Sequence, residues 1–263
     1  MDYDFSLSRD RDCLQTVAMQ WKLNNWKLVL RVTPRGGVNT VRSLIRTLEP
    51  GSNADKDFRF SGSPPKDFLA VKFVRNPYAR AVSQFIMYGC RTEENSHMTF
   101  REFIKHLGTM NLYGCDPHWG YQFKKGDRKT WELIKMEEFG EFVRRLNEFG
   151  NHSFTIGDFT ASHLKQKVNT DENFYDVSYR EIFDRFNQDG DPFMADRKRR
   201  SAKYYYLKVE PRFKIPSYFA FYDESMKKLV YNRFKWDIDH LGYTFDEMIE
   251  LNHPDDLRTI ESR

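Results

Sequence analysis

The chain has 263 residues, and 42 lysines and arginines against 38 aspartates and glutamates give it a formal net charge of +4. Phe, Tyr and Trp make up 16% of the residues, which is enough apolar surface for a buried core and excludes a chain disordered throughout. No apolar run approaches the roughly 18 residues of a membrane-spanning helix, and three cysteines do not form a disulfide framework.

The sequence shows no repeat, linker or low-complexity tract, so we predict one domain over residues 1–263. The first 30 residues carry charged side chains where a signal peptide has its apolar stretch. We therefore expect a cytoplasmic protein that binds neither a membrane nor nucleic acid. No pattern in the sequence indicates an oligomeric state.

The first predicted unit is a strand followed by a turn and a helix. An apolar, β-branched run over residues 26–32 predicts the strand, and the Pro-Arg-Gly-Gly sequence after it predicts the turn. Asn39 or Thr40 can cap the helix. Its apolar stripe, with helical spacing, consists of Val41, Leu44, Ile45 and Leu48.

A second unit of the same kind follows. Residues 68–74 predict a buried strand, Asn76 can cap the next helix, and Pro77 suits the first helical position. The apolar side of that helix consists of Tyr78, Val82, Phe85 and Ile86. The opposite, polar side carries Arg80, Ser83 and Gln84.

Strands and helices continue to alternate toward the C-terminus. Thr99 and Glu102 have the spacing of a capping box, and residues 131–134 predict a strand that leads into another helix. Residues 150–200 are polar and predict irregular structure, and a last helix begins near Asp223. This order predicts an α/β fold with a central, mostly parallel sheet flanked by helices.

Both strand–helix turns are suited to bind anions, because ligands of such sheets lie beyond the carboxyl ends of the strands. In the first turn, the backbone amides of residues 36–40 and the side chain of Arg35 can face an anion. The Walker sequence GxxxxGK[ST] is absent, so a magnesium-dependent phosphate loop is not indicated. A tight turn with an exposed arginine is the alternative interpretation.

The second turn offers Arg75 at the end of the strand and Ser83 on the polar side of the helix. An arginine can hold a phosphate by two parallel hydrogen bonds, and a serine hydroxyl can donate another. A surface ion pair of Arg75 is the alternative. Two such turns in successive units favour one ligand with phosphates at both ends.

The segment Val74–Ser83 resembles the R-[DN]-P-x-x-R-x-x-S motif of sulfotransferases that use 3′-phosphoadenosine 5′-phosphosulfate (PAPS). Residues 32–40 resemble the 5′-phosphosulfate loop of that family, V-P-K-x-G-x-T. Three later blocks are similar to those of the carbohydrate sulfotransferases of the chondroitin and HNK-1 type. They are Thr99–Leu107 with Asp116–Gln122, Trp131–Leu146, and Tyr204–Tyr206 with Leu229–Tyr243. The similarities run in order from about residue 27 to residue 245.

The resemblance implies a P-loop-like sulfotransferase fold with a PAPS-binding core over residues 27–90, an N-terminal extension (1–25) and a C-terminal tail (246–263). It implies no metal. The donor site that it implies consists of Arg35, Gly36, Gly37, Val38, Asn39, Thr40, Arg75 and Ser83, with Arg200 and Lys203 closing over the 3′-phosphate. A solvated run of charge is the alternative for those last two residues.

The chain departs from the family at two positions of the first turn. Arg35 stands where the family usually has a lysine, and Asn39 stands at the usual Thr/Ser position. Because arginine is not a proton donor, it would stabilise the leaving phosphate by charge alone.

The catalytic base is assigned to His118, which lies in a block expected to border the acceptor. A structural histidine that holds its loop by hydrogen bonds is the alternative, and Asp116 and an acid within residues 49–57 compete for the role of base. Most aromatic side chains are expected in the core. Three could stack on adenine or line the acceptor site: Trp119, Tyr121 and Tyr204.

We therefore expect in-line transfer of a sulfuryl group from PAPS to a hydroxyl or amine of a small natural product or sugar, by analogy with phosphoryl transfer. Two other functions remain open. One is another nucleotide-dependent transferase such as a kinase, against which the missing Walker lysine speaks. The other is a non-catalytic protein that binds PAPS or its product adenosine 3′,5′-bisphosphate (PAP), which the substitutions at Arg35 and Asn39 would allow.

Overall fold

The central sheet has four strands in the spatial order in which they occur along the chain. They are β1 (Met19–Leu23), β2 (Leu28–Val32), β3 (Leu69–Val74) and β4 (Glu132–Lys135). Strand β1 is antiparallel to β2, whereas β2, β3 and β4 are parallel to one another. The structure is a computed structural model that describes residues 19–113, 118–150, 152–155, 166–187 and 214–248.

Helices occupy the connections between the strands and the C-terminal part of the described chain. They are α1 (Val38–Leu48), α2 (Ala54–Asp57), α3 (Pro77–Gly89), α4 (Glu93–Ser96), α5 (Phe100–Leu107), α6 (Asp127–Thr130), α7 (Phe139–Gly150), α8 (Tyr179–Phe186) and α9 (Glu224–Leu241). A second, two-stranded parallel sheet pairs β5 (Gln166–Val168) with β6 (Lys214–Pro216). Short 3₁₀-helices span Met136–Glu138 and Tyr218–Phe221.

The predicted α/β fold with a mostly parallel sheet between helices is confirmed. Residues 19–23, however, fall within the stretch 1–25 that was expected to be an extension, and they form the antiparallel edge strand of the sheet. Trp21 and Leu23 are fully buried there, because alternate residues of a strand point to the same face. In the chain described, no helix is both long and apolar enough to cross a membrane.

The two faces of the sheet bury different kinds of side chain. One face packs Leu30, Val32, Val71 and Phe73 against α1 and α7 in a single apolar core. The other presents Lys72 and Val74 toward the segment around Phe123. Helix α3 forms a further core with α5, α8 and α9. The polar side of α3 is buried as well, since Arg80, Ser83 and Gln84 are at most 3% exposed.

Local capping patterns explain where most of the helices begin. The side chain of Asn76 accepts from the Tyr78 amide at 3.0 Å with Pro77 in the first turn, as predicted. The capping box of Thr99 with Glu102 is also confirmed. The prediction of Asn39 or Thr40 as the cap of α1 is wrong: Gly37 is the N-cap residue, and it makes no side-chain hydrogen bond.

A buried ion pair links the sheet to the segment that precedes β4. Lys72 donates to the Asp127 carboxylate at 2.6 Å, and both side chains are at most 5% exposed. Burial lowers the pKa of Lys72 to about 8, against the opposing effect of Asp127. The free energy lost when the Lys72 charge is removed from water is therefore larger than the free energy gained from its attraction to Asp127.

We expect Lys72→Met to lower the free energy of unfolding by about 3 kcal/mol, because it leaves the Asp127 carboxylate buried without its partner. The double variant Lys72→Met/Asp127→Leu should be more stable than the single one, since it removes both charges. Urea unfolding measures both effects. Lys235→Met, at an exposed pair with Asp239, is the control and should change little. A Lys72→Met variant as stable as the wild type would contradict this account.

Candidate anion site

The parallel strands bring three connections to one edge of the sheet. Strands β2, β3 and β4 end at Val32, Val74 and Lys135, and the register pairs Val32 with Phe73 and Val74 with Lys135. The turn after β2, the turn after β3 and the 3₁₀-helix after β4 therefore lie side by side. Both predicted anion-binding turns are at this edge.

The turn after β2 has a strained backbone. The Gly36 amide donates to the Thr33 carbonyl at 2.8 Å, and Arg35 has a φ of 65°. With Pro34 at the second position, this is the pattern of a type II β-turn, whose third position usually holds glycine. Arginine in the left-handed region costs about 1–2 kcal/mol, and such strain is concentrated at functional sites.

Gly37 sets the approach of this turn to helix α1. Its φ of 104° lies in the left-handed region, and a Cβ there would be 2.7 Å from the Met136 side chain. The helix begins at the next residue, so the amides of residues 38–40 lie in its first turn and have no acceptor within the helix. Together with the helix dipole they form a place for an anion. The Gly36 amide, also predicted to bind the ligand, is already bonded within the turn.

The structure brings Arg35, Ser83 and Arg75 into one cluster. The Arg35 guanidinium donates to the Ser83 hydroxyl at 3.1 Å from Nε and 2.6 Å from Nη2. One guanidinium nitrogen of Arg75 lies 3.4 Å from the Arg35 carbonyl oxygen. The sequence placed Arg35 and Ser83 at opposite ends of a ligand, whereas here they are in direct contact.

Positive charge is concentrated in this cluster. Burial lowers the pKa of the Arg35 guanidinium, and Arg75 and Arg91 lower it further by repulsion, whereas Tyr218 opposes the shift. A bound anion would reduce both the repulsion and the cost of holding Arg35 away from water. The electrostatics of the site therefore favour a negatively charged ligand.

The turn that carries Arg75 is held by residues from distant parts of the chain. The Gln122 side chain accepts from the Arg75 amide at 2.9 Å and donates to the Arg75 carbonyl at 2.8 Å. Glu137 accepts from the Asn76 amide at 2.9 Å and from the Tyr243 hydroxyl at 2.8 Å. Three of the sequence blocks that resemble the sulfotransferases thus supply groups that surround this one turn.

The segment that carries His118 is fixed to the same helix as Ser83. The Gln84 side chain donates to the His118 carbonyl at 2.5 Å, and Arg80 donates to the Gly120 carbonyl at 2.8 Å. Arg80 also lies 3.4 Å from the Pro34 carbonyl of the first turn. The main chain of His118 is thereby bonded to the helix that carries Ser83, and its side chain is half-buried. The assignment of His118 as the catalytic base stays a prediction.

Two side chains at the site were missed by the sequence analysis. The Tyr218 ring lies 5.7 Å from the Arg75 guanidinium carbon and 4.0 Å from the Lys167 Nζ atom. Lys167 lies in β5, within the range 150–200 for which irregular structure was predicted. Tyr218 lies beyond that range, in the 3₁₀-helix after β6. The three-residue strands β5 and β6 carry no sequence pattern that indicates a contact with Arg75.

Other predicted residues lie elsewhere. Trp119 is 4% exposed and packs between Tyr88 and Phe103, so it belongs to the core rather than to a stacking surface. The competing acids at 49–57 follow the C-terminal end of α1, about 16 Å along the helix from its amino end. Asp116, Arg200, Lys203 and Tyr204, which were predicted to lie at the site, are outside the described residues.

The arrangement offers a multiply charged anion two guanidinium groups, a hydroxyl and the amides at the start of α1. Among the residues that the structure describes, no group of three or more His, Cys, Asp or Glu side chains is placed to hold a metal ion. Comparison of the chain with protein-family models, with curated proteins and with solved structures found no significant match.

Proposed function

We propose that the protein is a PAPS-dependent sulfotransferase with a P-loop-like sulfotransferase fold, and that it transfers the sulfuryl group to a hydroxyl or amine of a small natural product or sugar. One observation carries the proposal. Arg35 and Arg75, from two successive strand–helix turns, meet beside Ser83 at the carboxyl edge of a parallel sheet. Arg75 and Ser83 belong to the motif that resembles the sulfotransferases, and Arg35 stands where the first loop of that family usually has a lysine.

In this proposal, the two turns take different parts of one nucleotide. Arg75 holds the 3′-phosphate with the help of the Ser83 hydroxyl, which can still donate its hydrogen while it accepts from Arg35. The free amides at the start of α1 and the Arg35 guanidinium receive the 5′-phosphosulfate. The nucleotide would span the short distance between the two turns.

The transfer step follows from where charge develops. The acceptor oxygen or nitrogen forms a bond to sulfur while the bond from sulfur to the 5′-phosphate oxygen breaks, and PAP leaves with that electron pair. His118 takes the proton that the acceptor loses. Arg35 and the amides of residues 38–40 neutralise the charge that grows on the leaving phosphate.

We expect Arg75→Ala and Ser83→Ala each to weaken PAP binding by about 10- to 100-fold, the size of a charge-assisted hydrogen bond, without loss of the fold. Calorimetric titration of PAP in the presence of EDTA measures this and separates the site from a magnesium-dependent kinase site. Adenosine 5′-phosphosulfate should be a poor donor, because it lacks the 3′-phosphate.

The control is Arg101→Ala. Arg101 lies in the first turn of α5, and like Arg75 it lies over a tyrosine ring, at 4.9 Å from that of Tyr175. Among the described residues, and unlike Arg75, it forms an ion pair, with Asp176. It should leave PAP binding unchanged. Equal PAP affinity of Arg75→Ala and the wild type would refute the phosphate site. Tight PAP binding without transfer to any acceptor in a broad panel would instead favour the non-catalytic binding protein.

A further inference from the structure

Gln122 uses each of its four polar groups at one buried position. It is 1% exposed. Its side chain forms the two hydrogen bonds to the Arg75 main chain, its amide donates to the Asp237 carboxylate at 2.9 Å, and its carbonyl accepts from the Lys72 ammonium group. A rotation of the side chain would break its two hydrogen bonds to Arg75.

The Gln122 side chain takes the place of a neighbouring strand. Pairing between β3 and β4 ends at Val74 and Lys135, so the Arg75 peptide groups lie just beyond the sheet. A carboxamide carries the same donor and acceptor pair as a peptide and can satisfy both groups of Arg75. The strand geometry is thereby extended by one residue, and the direction of the Arg75 side chain follows from it.

The support of Gln122 comes from the core. Both oxygens of Asp237 on α9 accept amide hydrogens, one from Gln122 and one from Phe123, each at 2.9 Å. Asp237 is fully buried. Gln122 also adjoins the first turn, since a Cβ on Gly36 would lie 3.4 Å from its side-chain oxygen. The side-chain amide of Gln122 therefore lies between the two strand–helix turns, and the buried Asp237 carboxylate holds the main chain of Gln122.

We propose that Gln122 is a positioning residue that directs the Arg75 guanidinium and thereby sets the preference of the site for a 3′-phosphate. This inference rests on the proposed function. Gln122 acts through the Arg75 main chain, so its loss should reduce the discrimination between nucleotides that differ only in the 3′-phosphate. A role confined to stability would lower the melting temperature and leave that discrimination unchanged.

The test compares the calorimetric affinities of the full chain for PAP and for adenosine 5′-phosphate. The wild type should prefer PAP by about 10- to 100-fold, and Gln122→Met should lose about tenfold of that preference while its affinity for adenosine 5′-phosphate changes little. Gln20→Met is the matched control. Gln20 is a buried glutamine that bonds the Gly62 carbonyl at the far edge of the sheet, and its replacement should keep the preference.

Gln122→Glu is the second variant, for the case that Gln122→Met fails to fold, because a glutamate side chain has the same shape as a glutamine side chain. Its carboxylate can accept from the Arg75 amide but cannot donate to the Arg75 carbonyl, and protonation restores the donor. The preference for PAP, taken relative to the wild type at each pH, should therefore recover as the pH is lowered and the carboxyl group takes up its proton. Burial and the Asp237 carboxylate favour the protonated form, whereas Lys72 and Arg75 oppose it.

The outcomes separate the two proposals. A wild type that binds PAP and adenosine 5′-phosphate equally overturns the proposed function, and the role of Gln122 with it. A wild type that prefers PAP, together with folded Gln122 variants that keep the whole preference at every pH, overturns the positioning role alone.

Discussion

His118→Ala is expected to lower turnover about 10²- to 10⁴-fold, the usual loss when a positioned general base is removed, while PAP affinity stays nearly unchanged. The fold should survive the change, because Gln84 and Arg80 hold the main chain of this segment through its carbonyl groups. Steady-state rates with the true acceptor and calorimetry with PAP measure the two quantities separately.

The pH dependence distinguishes a base from a structural histidine. A protonated imidazole cannot accept the proton of the acceptor, so the wild-type rate should fall in acid and this fall should be missing in His118→Ala. An amine that is already deprotonated needs less help, and its rate should suffer less than that of an alcohol. His97→Ala is the control, because that histidine is exposed and pairs with Glu93. Retention of more than about a tenth of the turnover by His118→Ala would rule out the base assignment.

The sequence predicted those elements that depend on neighbouring residues. Strands β2 and β3, the cap at Asn76 and the capping box at Thr99 all follow from residues within a few positions of one another. Helix α8 was missed, although Ser178 and Glu181 form a capping box before its apolar residues. The polar composition of residues 150–200 favoured irregular structure, although the capping box by itself indicated a helix.

The helix start after β2 shows where local rules are insufficient. Asn39 and Thr40 are good capping residues, but the turn held by the Gly36 amide and the positive φ of Gly37 begin the helix earlier. The polar residues then lie in the first turn of α1 rather than before it. Their amides remain without helical acceptors, which is the feature that the proposed ligand would use.

The support of the site was beyond the reach of the sequence. Gln122 and Glu137 bond residues that lie 47 and 61 positions away, and the Tyr218 ring that lies near Arg75 belongs to the 3₁₀-helix after β6. Spacing along the chain predicts which face a side chain occupies and does not predict which distant turn it contacts. The direct contact of Arg35 with Ser83 was missed for the same reason.

Arg35→Ala is expected to reduce turnover about 10²- to 10³-fold, as when one donor to a developing oxyanion is removed, and to reduce PAP affinity far less. Arg35 would meet charge that grows on the leaving phosphate, so its contribution is larger in the transition state than in the bound ground state. Its removal also frees the Ser83 hydroxyl to bond the nucleotide, which offsets part of the loss of its charge from the bound ground state.

Single-turnover rates with PAPS, set against calorimetry with PAP, test this difference. Backbone strain should be the same in the variant and the wild type, because alanine and arginine have a similar conformational cost at the φ of 65°. Arg35→Lys should keep partial activity, since it restores the charge and adds a group that can donate a proton. Arg101→Ala serves again as the control, because that half-buried arginine pairs with Asp176. Equal fractional losses of turnover and affinity in Arg35→Ala would mean that Arg35 only binds the nucleotide and does not stabilise its departure.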